Sequence, residues 1–180
     1  MNTPTIHNYQ DSLKKSTRFI NDAIWYKIYS QALPGAIKIV RAPYHHPDGV
    51  DRYLCLLDGR TLKVNEIVRQ GSWTDILIEE WAGGIGRTSG WIKKPASAYD
   101  YIAYVILGTR RCFLIPFPSL QEAWVKNKQE WRELAELKLC GFRSVKAQNR
   151  AGYGDYITES IAVPISAIRE AVKGVIEVGF

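Results

Sequence analysis

An Asp-Gly pair at 58–59 stands between two β-rich runs, YLCLL and TLKVNEIV, and this is the feature that most narrows what the chain can fold into. Aspartate and glycine both tolerate the turn geometries that reverse a strand within a few residues, so the flanking runs are read as a hairpin. Gly71 then leads into a third apolar run, DILIEE. Side chains alternate along a strand, so Lys63, Asn65, Ile67 and Arg69 share one face, and Leu62, Val64, Glu66 and Val68 share the other. Acidic side chains punctuate these strands: Asp51 before the first, Glu66 in the second, and Asp75, Glu79 and Glu80 in the third.

The rest of the chain supplies elements to cover such a sheet. Residues from about Asp11 to Ala32 have Leu13, Ile20, Ile24 and Ile28 at helical spacing, and Pro34-Gly35 ends that helix. AIKIV, YDYIAYVIL and RRCFLIPF are β-branched and aromatic, as strands require. A helix opens at Pro118 and carries Leu120, Trp124, Trp131 and Leu134 near one face. A last hairpin turns at Ala151-Gly152, and a closing helix follows Pro164. No repeat or low-complexity linker interrupts the 180 residues, which reads as one α/β domain over residues 1–180.

Composition excludes some classes. With 46% hydrophobic and 23% charged residues the chain is ordinary for a globular protein, and it has neither a bilayer-spanning run nor an N-terminal secretory segment, so a cytoplasmic protein without membrane contact is expected. Cys55, Cys112 and Cys140 are odd in number and lack zinc-site spacing, so reduced thiols are expected. His45 and His46 are adjacent and point apart on an extended segment, which argues against a shared ion, and Asp48-Gly49 reads as a turn. The segment AGGIGRTSG lacks the Gly-Lys-Ser/Thr ending of a phosphate loop and reads as a loop bearing Arg87. The net charge of +6 and pI near 9.2 favour phosphate-bearing partners. Candidate nucleic-acid contacts are Lys93, Lys94, Arg110 and Arg111, with Arg143, Lys146 and Arg150 beside Tyr153 in the last hairpin. Each is also readable as a solvated surface charge.

The order of elements, with GVDRYLCLLDGRTLKVNEIVR, DILIEEW, GWIKK, DYIAYV, FLIPFPSLQEAW and YITESIAVPISAI, resembles the PD-(D/E)XK nuclease superfamily, in particular its small phage and bacterial members, over roughly residues 8 to 172. The resemblance implies a restriction-endonuclease-like α+β fold: an N-terminal helix first, then a mixed, mostly antiparallel central sheet flanked by helices. It also implies DNA as partner and Mg²⁺ as cofactor. Asp51 takes the position of the metal-binding Asp, and the acidic-x-Lys triplet falls on Asn65-Glu66-Ile67. Ile67 departs from the pattern, because the family's Lys supports the attacking water and the developing phosphate charge, and an alkyl side chain cannot.

Two readings follow. In one, the chain is a nuclease-like nucleic-acid-binding protein of a phage or mobile element, catalytically impaired or inactive, acting as an accessory factor or as an inhibitor that binds a protein of a host system. In the other it is an active Mg²⁺-dependent DNA endonuclease with a rearranged site: Asp51, Asp75 and Glu79 hold the metal, Glu66 assists, and Lys63 or Arg69 steadies the phosphate. The alternative for the carboxylates is a turn residue, a strand cap and solvated edge charges. A monomer and an oligomer are both compatible with the sequence.

Overall fold

A computed structural model of the chain describes residues 6–8, 21–43, 49–83, 88–151 and 154–180. The fold is α+β, with two mixed, mostly antiparallel sheets and three α-helices among the described residues. The chain divides into two compact units, each assembled from separated segments: residues 1–19, 74–94 and 124–168 in one, and 20–73, 95–123 and 169–180 in the other.

The second of these units holds the Asp-Gly hairpin. Its strands β2 (Ala36–Arg41), β3 (Arg52–Leu56), β4 (Thr61–Arg69), β7 (Tyr101–Ile106), β8 (Arg111–Pro116) and β11 (Ile176–Gly179) form a six-stranded sheet in the order β11-β8-β7-β4-β3-β2. The turn forms where expected: Gly59 has φ +85°, its N–H reaches the Leu56 carbonyl, and the Asp58 carboxylate accepts the Arg60 N–H. Helix α1 (Asp22–Ala32) is capped by the Asn21 side chain, which accepts the Ile24 N–H. It buries Trp25, Ile28, Tyr29 and Ala32 against Leu54, Val64, Ala103, Val105, Cys112 and Leu114. Ile102, Tyr104 and Ile106 are buried as well, so β7 is apolar on both faces, as befits a central strand. The N-terminal part of the expected first helix, including Leu13 and Ile20, lies outside the described residues.

β4 and β7 are parallel neighbours, in register from Val64↔Tyr101 to Arg69↔Ile106. Parallel strands need a long crossover, and here the intervening chain builds strands of another sheet rather than a helix. The run expected as a third strand beside the hairpin does form β5 (Asp75–Gly83), but it pairs with β10 (Gly154–Pro164) in the first unit. That sheet has the order β1-β9-β10-β5-β6, with β1 (Ile6–Asn8) parallel to β9 (Arg143–Ala151) and β6 (Thr88–Ser89) at the other edge. The expected last hairpin is β9-β10.

Helix α2 (Phe117–Glu136) begins in one unit and ends in the other, burying Trp124, Trp131 and Ala135. The closing helix α3 (Ile165–Ala171) is shorter than expected, because Gly174 at φ +80° turns the chain into β11, which its four residues did not announce. All three cysteines are free thiols, with Cys112 buried and Cys140 exposed. No helix among the described residues is long and apolar enough to cross a membrane.

Gly90 fixes one close approach. Its N–H donates to the Glu80 carbonyl at 2.9 Å, and a Cβ there would fall on the Glu79 main chain. Gly90→Ala is therefore expected to destabilise the protein by about 1–3 kcal/mol through overpacking. A urea midpoint equal to that of the wild type would show that this backbone yields freely.

Candidate functional site

Asp51 and Asn65 come together as the strand period requires. The main chain of Asp51 is pinned between Ala42 and Val64, just before β3. Its Oδ2 accepts the Glu66 N–H at 2.7 Å and the Asn65 amide at 3.2 Å, and the same amide donates to the Gly49 carbonyl at 2.7 Å. Gly49 has φ +78°, and a Cβ there would meet the Tyr99 hydroxyl at 2.8 Å, so this turn holds only a glycine without strain. Burial pushes the Asp51 carboxyl above its ordinary range, with the Glu66 N–H, Arg52 and Arg41 acting in opposition. Further along the Asn65 face, Ile67 stands opposite Tyr104. Lys63 lies on that face too. Its ammonium bonds the Ser97 carbonyl, and its N–H donates to Asp100 Oδ2 at 2.7 Å.

Glu66 turns to the opposite face, into the apolar core. Its carboxylate accepts the Tyr29 hydroxyl at 2.8 Å and Arg52 Nε at 2.5 Å, and Arg52 reaches Asp22 at 2.6 Å through Nη2. Arg52 is only 4% exposed. Burial raises the Glu66 carboxyl to about 7, against the pull of Arg52 and Tyr29, and the neighbouring Asp51 charge adds to the rise. Burial also lifts the Tyr29 phenol well above its usual range, so it stays a donor. Sequence reading missed Arg52, Tyr29 and Asp22. The signal was present in the register: Arg52 pairs with Val64, which puts Glu66 one diagonal step away on the same face.

The other acidic residues belong to the first unit. Asp75 is buried and held by Arg143 Nη2 at 2.6 Å. Glu79 accepts the Trp91 N–H, and burial raises its carboxyl. Between them and Trp81 the ladder slips: Ser160 pairs with Glu79 but Glu159 pairs with Trp81, leaving Glu80 as an inserted residue. This bulge re-aims the strand, bringing Trp81 to the face of Ile78. Glu80 bonds Arg132 and lies 3.2 Å from Lys93, whose ammonium is 3.0 Å from the centre of the Trp81 ring. Burial opposes its charge, but these two cations outweigh burial and hold the Glu80 carboxyl low.

Asp51 and Glu66 thus lie in one unit, and Asp75 and Glu79 in the other. Among the described residues no group of three or more His, Cys, Asp or Glu side chains is arranged to hold a metal ion. In the Asp51 unit the oxygen donors do not fit Mg²⁺: one Asp51 oxygen already accepts two N–H groups, and Glu66 is held by Arg52 and Tyr29.

Most of the expected phosphate contacts are engaged with acids. Lys93 pairs with Glu80, Arg111 with Glu177, Arg143 with Asp75, and Lys146 with Glu159 at 3.2 Å across the β9-β10 ladder. Lys94 is half-buried after a 3₁₀ turn, and Arg110 is exposed in a left-handed conformation. The Arg150 backbone pairs with Asn8 and Asp155. The Arg150 side chain, His45, His46, Asp48, Arg87 and Tyr153 lie outside the described residues.

No protein-family model and no curated protein matches the sequence. Among solved structures, the chain is similar to a bacterial homing endonuclease, I-Ssp6803I, at 15% identity over 57% of this chain and 70% of that one, with a TM-score of 0.38.

The Glu66 environment makes stability depend on pH with a defined sign. The folded protein holds a proton to about pH 7 that the unfolded chain releases near its ordinary value of 4.5. Stability from this group is therefore full below the unfolded value and falls as pH rises through the folded one, by at most about 3 kcal/mol. Glu66→Gln should remove that slope. Unfolding in denaturant at pH 5 and pH 8 checks it, and an equal loss between the two pH values in wild type and variant would assign the slope elsewhere.

Proposed function

We propose that this protein is a nuclease-like nucleic-acid-binding protein that has lost, or nearly lost, phosphodiester cleavage. The observation that supports this reading is the fate of the Asp51–Asn65–Glu66–Ile67 group. Asp51 Oδ2 takes the N–H groups of Asn65 and Glu66, Glu66 turns inward to Arg52 and Tyr29, and Ile67 presents an alkyl chain where hydrolysis needs a cation. Lys63, the nearest lysine on that face of β4, is directed to the Ser97 carbonyl. Such a group orders the sheet, and it lacks the donors that position a water against a phosphate.

Binding remains open to the fold, because the excess of six positive charges attracts a polyanion whatever becomes of catalysis. Lys146, exposed on β9, and Arg150 are the contacts we assign on the first unit. In the setting the resemblance implies, a phage or mobile element, a protein of this kind serves as an accessory factor or an inhibitor of a host system.

The favoured outcome is retardation of duplex or branched DNA without cleavage in Mg²⁺ or Mn²⁺. Affinity should fall steeply with salt, the logarithmic slope rising by about 0.9 for each phosphate neutralised. Lys146→Ala should lower the slope by roughly that amount. A flat salt response would defeat DNA binding. Divalent-dependent cleavage that Asp51→Ala abolishes would instead establish the rearranged nuclease.

A further inference from the structure

Where the two parallel strands end, the second unit gathers arginine and aromatic side chains that neither the hairpin nor the Asp51 group uses. Arg69 closes β4 beside Ile106 of β7, and Ile106 pairs in turn with Arg111 of β8. The Gly108 N–H donates to the Gly71 carbonyl at 2.9 Å, and the Phe180 N–H donates to the Arg110 carbonyl at 3.2 Å. Three segments are thereby tied together: 69–73 at the end of β4, the 3₁₀ turn and start of β8 at 107–111, and β11 with Phe180. Their side chains include Arg69, Arg110 and Arg111 but a single carboxylate, Glu177, to which Arg169 also bonds.

Trp73 is set rigidly in this cluster. Its indole N–H donates to the Gln70 carbonyl, Gly71 beneath it adopts φ +86°, and the Arg69 guanidinium lies 4.1 Å from the ring centre. The ring is nevertheless 37% exposed. Arg110 carries a second signal: an exposed residue at φ 52°, ψ 43°, where glycine is the unstrained choice, yet a long cationic side chain stands there over Phe180.

We infer that this cluster is a subsite for an unpaired nucleotide, with a base stacked on Trp73 and its flanking phosphate held by Arg110; the inference rests on the nucleic-acid reading above. An indole backed by a guanidinium stacks on any base, and Arg110 nearby supplies the phosphate contact. An aromatic platform adds little to an intact duplex, whose bases are already stacked, so the subsite favours single strands, flaps or branch points.

Anisotropy of a fluorescein-labelled oligothymidine, beside a duplex of equal length, tests this. Trp73→Ala should weaken oligothymidine binding about tenfold or more while leaving duplex binding within about twofold, and Trp73→Phe should retain most of the affinity. Arg110→Gly should keep or raise the melting temperature while lowering the single-strand salt slope by about 0.7. If wild type binds neither probe, the nucleic-acid reading falls and this subsite with it. If it binds duplex while Trp73→Ala leaves oligothymidine binding unchanged, or weakens both probes alike, the subsite alone is overturned.

Discussion

The ion pair between Arg52 and Glu66 governs the hairpin unit. Both charges sit in a core of Ile28, Tyr29, Leu54 and Val64, where an unpaired ion would cost several kcal/mol. Arg52 is accommodated because Glu66 and Asp22 accept its N–H groups at 2.5 and 2.6 Å, and the Glu66 carboxyl, raised to about 7 by burial, is held by Arg52 and the Tyr29 hydroxyl. Those four residues come from α1, β3 and β4, so the pair fixes how the helix lies on the sheet. It also holds β4 in register: a slip of one residue would turn Glu66 to the other face and leave Arg52 without it. The same slip would part Asp51 from Asn65, and so the order of the candidate site follows from a contact on the opposite face of the strand.

That dependence bears on how far the resemblance to nucleases carries. Sharing a strand layout is compatible with quite different chemistry, since function resides in the side chains mounted on it. Here Glu66, the middle residue of Asn65-Glu66-Ile67, has a structural duty in the core. The flanking Asn65 and Ile67 face the other way, one bonded to Asp51 and the other unable to bond at all. The polar groups of Asp51, Asn65 and Glu66 are satisfied within the fold.

What the sequence revealed was what local rules control. The Asp58-Gly59 turn and the alternation along β4 both follow from residues close in the chain. The pairing of β4 with β7 was not legible, since nothing near Arg69 states that the partner begins at Tyr101 and that DILIEE will join another sheet. The extra residue at Glu80 was equally silent, because a bulge is set by the partner strand. Arg52 was legible from its place in the Leu54 row, which marks it as a buried cation in need of an acid, but the identity of that acid depends on the β3-β4 register. The basic candidates were visible as charges, but their pairing with Glu80, Asp75, Glu159 and Glu177 depends on folds of the chain that spacing does not disclose.

The detour of the chain between β4 and β7 has a consequence for how the molecule can be made. The backbone passes between the two compact units at 19/20, 73/74, 94/95, 123/124 and 168/169, so no single cut yields either unit whole. As the chain is made, the five-stranded sheet waits for β10 and the six-stranded sheet for β11, because β5 pairs with β10 and β8 with β11. Until those partners are in place β5 and β8 each keep an unpaired edge, the condition in which aggregation competes with folding. Neither unit is a contiguous module, so a change of boundary anywhere in the chain touches segments of both.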